Sequence, residues 1–384
     1  MNRPPFALST LSEEESLLYD TALDYAQKVV APKRDQMDRE ASMPREVIDG
    51  LFELGLMGIE IPDEYGGSEA SFFESILVVE ALARVDASVS VLVDVQNTLV
   101  INTLLRCGSQ ELKARYLPHL AKDWVGSYAL SEAQSGSDAF ALATRAEDHG
   151  DHFLVTGSKL WITNAYESEV FVVFATMDPK LKHKGIVALV VERDSPGFVV
   201  EAKEDKLGIR ASSTCPLTLE RVRVPRENLL GEVGKGYKIA METLNEGRIG
   251  IGAQMVGIAQ AAFDLSVAHV QERKQFGQAL KDFQGIQFQL AEMRTELETA
   301  RLLVYNAARL KCAGRPFLTE AAMAKLHASN VAESLASKAI DLLGGVGFTR
   351  EYLAEKLYRD AKIGKIYEGT SNMQLLTIAK QVLS

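Results

Sequence analysis

Cysteine is scarce in this chain of 384 residues: Cys107, Cys215 and Cys312 are far apart and odd in number. That excludes a disulfide framework and any C-x-x-C metal or redox pair, and it favours a reducing compartment. Positive charge is short as well. Lys and Arg number 42 against 52 Asp and Glu, a formal net charge of −10 with no basic block. Nucleic acid and anionic membranes need clustered positive charge, so neither is an expected partner. No apolar run approaches the roughly 18 residues of a membrane span. Met1 to Thr10 has one Arg and no apolar stretch of signal-peptide length, and Glu13, Glu14 and Glu15 follow, so no secretory or mitochondrial address is read there. His119, His149, His152, His183, His269 and His327 form no H-E-x-x-H or i, i+4 pair, so no metal site is expected. A G-x-S-x-G elbow and a Walker A loop are both missing. What remains is a soluble, intracellular chain of two or three domains, at roughly 150 residues each. It is large enough to bury a core without staples.

The period of the apolar pattern changes twice. Ser12 with Glu15 makes a capping-box start, and Leu18, Ala22, Tyr25 and Val29 follow as one helical face. Helical stretches are expected over Pro44 to Leu56 and Ser71 to Arg84, and helix-compatible sequence continues to about Lys122. From about Gly126 to Pro225 the runs are short and β-branched: Phe153 to Thr156, Val170 to Thr176, Ile186 to Glu192 and Leu217 to Val224. No helix of 10–15 residues separates them, so an antiparallel sheet or barrel is expected rather than βαβ units. Past Gly236 the helical period returns. Ile251, Met255, Ile258, Ala262 and Leu265 form one stripe; Ile286, Leu290, Met293, Leu297, Ala300 and Val304 form another. A third long helix covers Thr319 to Leu343 and a shorter one follows Thr370. The expected fold is α+β in three regions: residues 1–124 helical, 125–234 an antiparallel β-barrel-like unit, and 235–384 a four-helix bundle.

Gly231 to Gly236 and Gly344 to Gly347 miss the G-x-G-x-x-G spacing and do not open a helix after a strand, so a Rossmann site fails. Gly344 and Gly345 read as a helix C-terminal cap. Two polar islands stand out. Tyr128 to Asp138 (YALSEAQSGSD) begins the β region, and its hydroxyls and Gly suit a phosphate or a heterocycle edge, or else simply a turn. Ile366 to Asn372 (IYEGTSN) places Glu368 on a bend before Gly369, with Ile363 and Ile366 ahead of it. A carboxylate in apolar surroundings is a stronger base. The competing reading is that Glu368 caps the last helix or pairs with a basic residue.

Together these segments resemble the acyl-CoA dehydrogenase family. Seven motifs occur in its order: Tyr128 to Asp138; Trp161-Ile162-Thr163-Asn164; Asn245-Glu246-Gly247-Arg248; Arg273-x-x-Phe276-Gly277 with Gln284; Leu343 to Gly347; Tyr358-Arg359-Asp360; and Ile366 to Gly369. The resemblance implies FAD as cofactor and Glu368 as the base that removes the α-proton of an acyl-CoA, while the β-hydrogen leaves as hydride to flavin N5. It implies that Tyr128, Leu130, Ser131, Gly136 and Ser137 hold the flavin and part of its pyrophosphate. Trp161, Ile162 and Thr163 would lie against the ring. Arg273, Phe276, Gln284, Leu342, Gly344 and Gly345 would reach the FAD of a neighbouring subunit, and Thr370, Ser371 and Asn372 would touch the same cofactor. Ser137, Tyr237, Asn245, Glu246, Arg248 and Gly369 would grip the substrate. The N–H of Glu368 would polarise the thioester carbonyl.

Isovaleryl- and long-chain-type members carry the base on the helix just before the substrate Arg, where this chain has Gly247. Ala211 to Leu217 and Asn245 to Gln254 look most like the short/branched-chain members, which implies a short or 2-methyl-branched acyl group. An electron-transfer flavoprotein as acceptor and a homotetramer built as a dimer of dimers are also implied. So is a bacterial cytoplasm, or a mitochondrial matrix for a processed eukaryotic chain. An acyl-CoA oxidase on the same scaffold and a non-catalytic acyl-CoA binder are the alternatives; the first is expected to carry a longer C-terminal region, the second to lack the base. Two departures stand out. Asp341 replaces a common Gln where a pyrophosphate would repel it, and His183 stands where relatives tend to have an aromatic, so both read as surface positions.

Overall fold

A computed structural model describes residues 7–383. Its N-terminal part is helical: α1 (Glu13–Tyr25), α2 (Arg34–Glu40), α3 (Arg45–Glu53), α4 (Phe72–Ala83), α5 (Ala87–Asp94), α6 (Asn102–Cys107) and α7 (Gln110–Lys122). Ser12 and Ser71 open α1 and α4 with reciprocal capping boxes to Glu15 and Glu74. A π-helical stretch, Val95–Ile101, fuses α5 and α6 into one buried rod. Such wide turns often accompany functional sites. Gln96 and Asn97 on it are buried, and they spend their amides on backbone. Asn97 reaches the Leu56 and Val93 carbonyls at 3.0 Å, and Gln96 accepts from the Gly126 N–H at 2.7 Å. The first strand is therefore anchored by the helix beneath it. Gly126 is required there, because a Cβ would lie 2.6 Å from Val100.

The middle of the chain supplies β1 (Val125–Ala129), β2 (Arg145–Asp148), β3 (His152–Thr163), β4 (Ser168–Thr176), β5 (Ile186–Glu192), β6 (Phe198–Val200), β7 (Thr214–Pro225) and β8 (Leu229–Leu230). Their order is β6-β7-β3-β2-β4-β5-β8, with β1 beside β4. The antiparallel expectation needs one amendment. β1 pairs with β4 in parallel, and β2 touches β4 in parallel at Arg145–Thr176. The crossover between β1 and β4 is the β2–β3 hairpin, so a parallel pair arises without any βαβ helix. Among the described residues no pairing joins β6 to β8, so the sheet does not close.

Period-two alternation sorts the two faces. Val170, Val172, Phe174, Ile186, Ala188 and Val190 enter the core shared with the helices. Phe171, Val173, Ala175, Val187, Leu189 and Val191 fill a second core on the opposite face. The strands read as continuous apolar runs because both sides are covered.

The C-terminal part holds α8 (Gly236–Glu272), a small hairpin β9–β10 (Lys274–Gln275 and Gln278–Ala279), α9 (Gln284–Cys312), α10 (Leu318–Leu343), α11 (Leu353–Ala361) and α12 (Ser371–Leu383). α10 packs on α8, α9 and α12, while α4 and α5 also pack on α8. One core therefore runs through both helical parts. The rods Ala87–Cys107 and Gly236–Glu272 are long and apolar enough to cross a membrane, contrary to the expectation from uninterrupted runs. Yet 94% and 72% of their apolar windows are buried within the protein, which accounts for their composition.

A charged joint closes the three parts together. Lys356 on α11 is buried and ion-paired with Asp86 at 2.9 Å and Asp360 at 2.6 Å. Asp360 also accepts from the Ile209 N–H at 2.6 Å, and Arg359 binds Asp38, Glu355 and the Leu207 carbonyl. Gly208 fits there because a Cβ would strike the Arg359 carbonyl at 2.3 Å. The Tyr358-Arg359-Asp360 motif is thus a structural clasp.

Candidate active site

Glu368 sits in the turn between α11 and α12. Its φ is +51° and that of Gly369 is +87°, two consecutive left-handed residues, of which only Gly tolerates this freely. Three hydrogen bonds hold the turn. Lys325 Nζ donates to the Gly369 carbonyl at 2.6 Å. Gln374 Nε2 donates to the same carbonyl at 2.8 Å and to that of Glu368 at 3.2 Å. Strain of this kind persists only where the surroundings over-determine it, and it clusters at functional sites.

The turn aims the Glu368 side chain inward. Its Oε2 is sealed from solvent and has no hydrogen-bond partner among the described residues. Burial pushes the carboxyl up to about 7, against the pull of Lys325 and Arg248. Lys325 is itself buried, which lowers it to about 8 despite the facing carboxylate. Arg248 donates to Asn245 Oδ1 at 2.9 Å, and its Nε is buried without a partner. Tyr128 Oη is likewise sealed and unpaired, its phenol raised by burial and by the charge of Glu368. Tyr367 Oη donates to Gln254. Among the described residues nothing accepts from the Glu368 N–H. The turn therefore offers a basic carboxylate and a free backbone donor side by side, the pair needed to remove a weakly acidic proton beside a carbonyl.

A second carboxylate lies close by. Asp94, at the end of α5, is 1% exposed and accepts from Thr98 Oγ1 at 3.0 Å. Burial and the charge of Glu368 raise it well above the usual carboxylate range. Two glycines on α8 admit these acids. A Cβ on Gly247 would meet Leu99 Cδ2 at 2.8 Å and Glu368 Oε2 at 3.0 Å; one on Gly250 would meet Asp94 Oδ1 at 1.8 Å. Gly247→Ala is expected to cut kcat by about tenfold to a hundredfold, because it shifts the carboxylate by a fraction of an ångström. Its melting temperature should change little, since both neighbours are movable side-chain ends. Gly250→Ala should instead destabilise by about 1–3 kcal/mol, read from denaturant midpoints, as Asp94 is wedged and must be displaced.

Not every anticipated residue joins this cluster. Glu246, expected to grip substrate, is buried and committed elsewhere: Arg106, Asn102 and Lys311 take both its oxygens. One residue earlier than Gly247 on a helix points to a different face. Leu342 is also buried, so its side chain serves the bundle core. Gly344 caps α10 at φ +66°, as its cap reading anticipates. In the first polar island, Glu132 is bound by Lys159 at 2.6 Å and accepts from the Ala143 and Thr144 N–H groups, while reciprocal backbone bonds between Glu132 and Ser135 close a turn.

Most of the remaining anticipated residues are partly or fully exposed. A bulge in β3 between Lys159 and Ile162 puts Trp161 at φ +63° with 60% of its surface exposed, while Ile162 stays buried. Thr163 and Ser131 are half-buried; Gly136, Ser137 and Asn372 are exposed, and Tyr237 stacks on Phe140 at 3.9 Å. Ser371 Oγ, at the N-terminus of α12, is buried and unpaired, and Thr370 accepts from the Met373 N–H. An exposed indole, an orphaned hydroxyl and a helix N-terminus fit a flat heterocycle with an anionic tail such as FAD. Arg273, Phe276, Gln284, Gly344 and Gly345 are exposed, Phe276 to 94%.

Residues that no motif flagged are Lys325, Asp94 and Gln374. The available signal was one charge within an apolar stripe: Lys325 among Ala321, Ala324 and Ala328, and Asp94 within the run from Ala87 to Ile101.

Family models for the N-terminal, middle and C-terminal domains of acyl-CoA dehydrogenase match residues 12–123, 127–222 and 234–383. The chain is 52% identical over 375 residues to the mitochondrial short/branched chain specific acyl-CoA dehydrogenase of Rattus norvegicus, covering 98% of this chain and 87% of that one. It superposes with a TM-score of 0.96 on butyryl-CoA dehydrogenase from Megasphaera elsdenii, at 39% identity over 98% of this chain and 99% of that chain. A chain from a study of the electron transferring flavoprotein of Acidaminococcus fermentans matches with the same TM-score, 40% identity and the same coverage.

Proposed function

The chain belongs to the acyl-CoA dehydrogenase family, and from that premise we propose that it oxidises a short or 2-methyl-branched acyl-CoA to the trans-2-enoyl-CoA with Glu368 as base. The observation that carries the assignment is Glu368, whose Oε2 is sealed from solvent, has no hydrogen-bond partner among the described residues and faces two cations. Oxidation of an acyl-CoA with FAD is the family's reaction, and the exposed Trp161 indole and the orphaned Ser371 hydroxyl suit that cofactor. When bound against Trp161, Thr163 and the start of α12, FAD supplies the acceptor for the hydrogen that leaves the β-carbon.

The residues of this chain do the rest. Glu368 takes the α-proton through its unpaired oxygen. Its backbone N–H donates to the thioester oxygen, where negative charge grows as the proton leaves. Arg248 favours the ionised base. Leu99 and Tyr128, both buried, lie near the carboxylate and help to keep it from water. Gly247 keeps that space open, and Ser137, Tyr237 and Asn245 are offered to the CoA portion. Presence of the base disfavours a non-catalytic binder, and the named relatives are dehydrogenases rather than oxidases.

An electron-transfer flavoprotein is the proposed acceptor. A homotetramer, built as a dimer of dimers, would cover Phe276, Phe288 and Phe348, at 94%, 60% and 82% exposure in one copy. A eukaryotic chain of this kind would work in the mitochondrial matrix, a bacterial one in the cytoplasm. The test is anaerobic bleaching of the purified yellow protein by a panel of acyl-CoAs. Butyryl- and 2-methylbutyryl-CoA should bleach it fully and long straight chains poorly. A spectrum without flavin bands would defeat the proposal.

A further inference from the structure

Beneath the base-bearing turn lies a lysine that the reaction does not touch. Lys325 is fully buried on α10, on the stripe formed by Ala321, Ala324, Ala328 and Ala332. A lone cation on such a face is costly unless it is paired or hydrogen-bonded. Among the described residues its one side-chain hydrogen bond runs to the Gly369 carbonyl, 2.6 Å away, and no carboxylate lies within ion-pair distance. The second donor on that carbonyl, Gln374, already satisfies it at 2.8 Å. Packing or carbonyl satisfaction alone therefore does not call for a charge here. The opposite charge facing it from the turn is Glu368.

We propose that Lys325 is a positioning residue for Glu368, pinning the left-handed Glu368–Gly369 turn through the Gly369 carbonyl and holding a cation behind the carboxylate. The inference rests on Glu368 being the base. The charged and titratable groups facing Glu368 come from four elements: Lys325 on α10, Arg248 on α8, Asp94 on α5 and Tyr128 on β1. Tyr367 adjoins it in the chain. Burial disfavours the charged forms of Tyr128, Tyr367 and Asp94, and the cations that oppose the burial of the Glu368 carboxylate are Lys325 and Arg248. Removing one cation while Arg248 remains should raise the carboxyl further. The loss is then a loss of ionised base near neutrality, and it should be recovered at higher pH.

The experiment is the pH profile of kcat and KM for Lys325→Met, Lys325→Gln and Lys325→Arg in the flavin-loaded enzyme, with melting curves alongside. The Met variant should show the acid limb of kcat displaced upward by about one pH unit and kcat at pH 6.5 lowered about tenfold, with KM changed less than twofold. Its melting temperature should hold or rise, because an apolar side chain suits that stripe. The Gln variant keeps an N–H donor for the Gly369 carbonyl but no charge, and the same displacement is expected. It also guards against misfolding of the Met protein. Lys325→Arg should return the limb toward its original position. An acid limb in both uncharged variants that coincides with the parent's overturns the proposal, as does a kcat loss that is uniform with pH. Turnover by Glu368→Gln would overturn the assignment of the base instead, so the two failures are separable.

Discussion

Glu368→Gln is expected to lower turnover by about 10²–10⁴-fold while flavin absorbance and acyl-CoA binding persist. The amide keeps the shape of a side chain packed beside Leu99 and Gly247, but it cannot accept the α-proton. Single-turnover bleaching with butyryl-CoA measures the loss directly. Retained bleaching would move the base to another residue. The same variant should also differ in stability, and the sign follows from linkage. The carboxyl is raised from 4.5 to about 7 in the folded state. Its favourable contribution is fully present below pH 4.5 and disappears as pH rises through 7. The parent should therefore lose melting temperature over that window, and the Gln variant should lack that part of the fall. Activity has the opposite slope: kcat/KM of the parent should rise with pH through about 7, as Glu368 becomes ionised. An enzyme tuned in this way gives up stability where it gains a base.

The second large effect lies well away from the chemistry. Lys356→Met is expected to destabilise by about 3–5 kcal/mol, because it leaves Asp86 and Asp360 buried without their shared cation. Burial works against the lysine's charge, yet the two carboxylates hold it above its usual range. Urea denaturation at pH 7.5 and pH 5 tests this. The gap between variant and parent should narrow at the lower pH, where the stranded acids can take up protons. An unchanged midpoint at pH 7.5 would show that the joint carries no such load. Asp86 caps α5, Asp360 holds the Ile209 N–H and Lys356 belongs to α11, so the failure should be cooperative across the helical and β parts.

Much of this molecule could be read from its residues in order. The capping boxes at Ser12 and Ser71, the strand runs of β4 and β5 and the stripe of α8 are local features, and local spacing specifies them. The α+β order, helical then β then helical, follows from the two changes of period. Glu368 stood out because a carboxylate before a glycine amid apolar residues is locally anomalous. Other features could not be read in this way. The parallel pairing of β1 with β4 depends on where a hairpin returns, and the buried role of Glu246 depends on which face of α8 meets Arg106 and Lys311.

The class of chemistry was legible in the order of residues alone, since the identity and spacing of IYEGTSN and its companion motifs are chemical facts that survive without coordinates. What surrounds the base was settled by the fold. Lys325, Arg248, Asp94 and Tyr128 come from four different elements, up to 274 residues from one another and from Glu368 along the chain. Their effect on a carboxyl depends on distance and on the exclusion of water. Those are properties of packing, and one-dimensional spacing does not encode them.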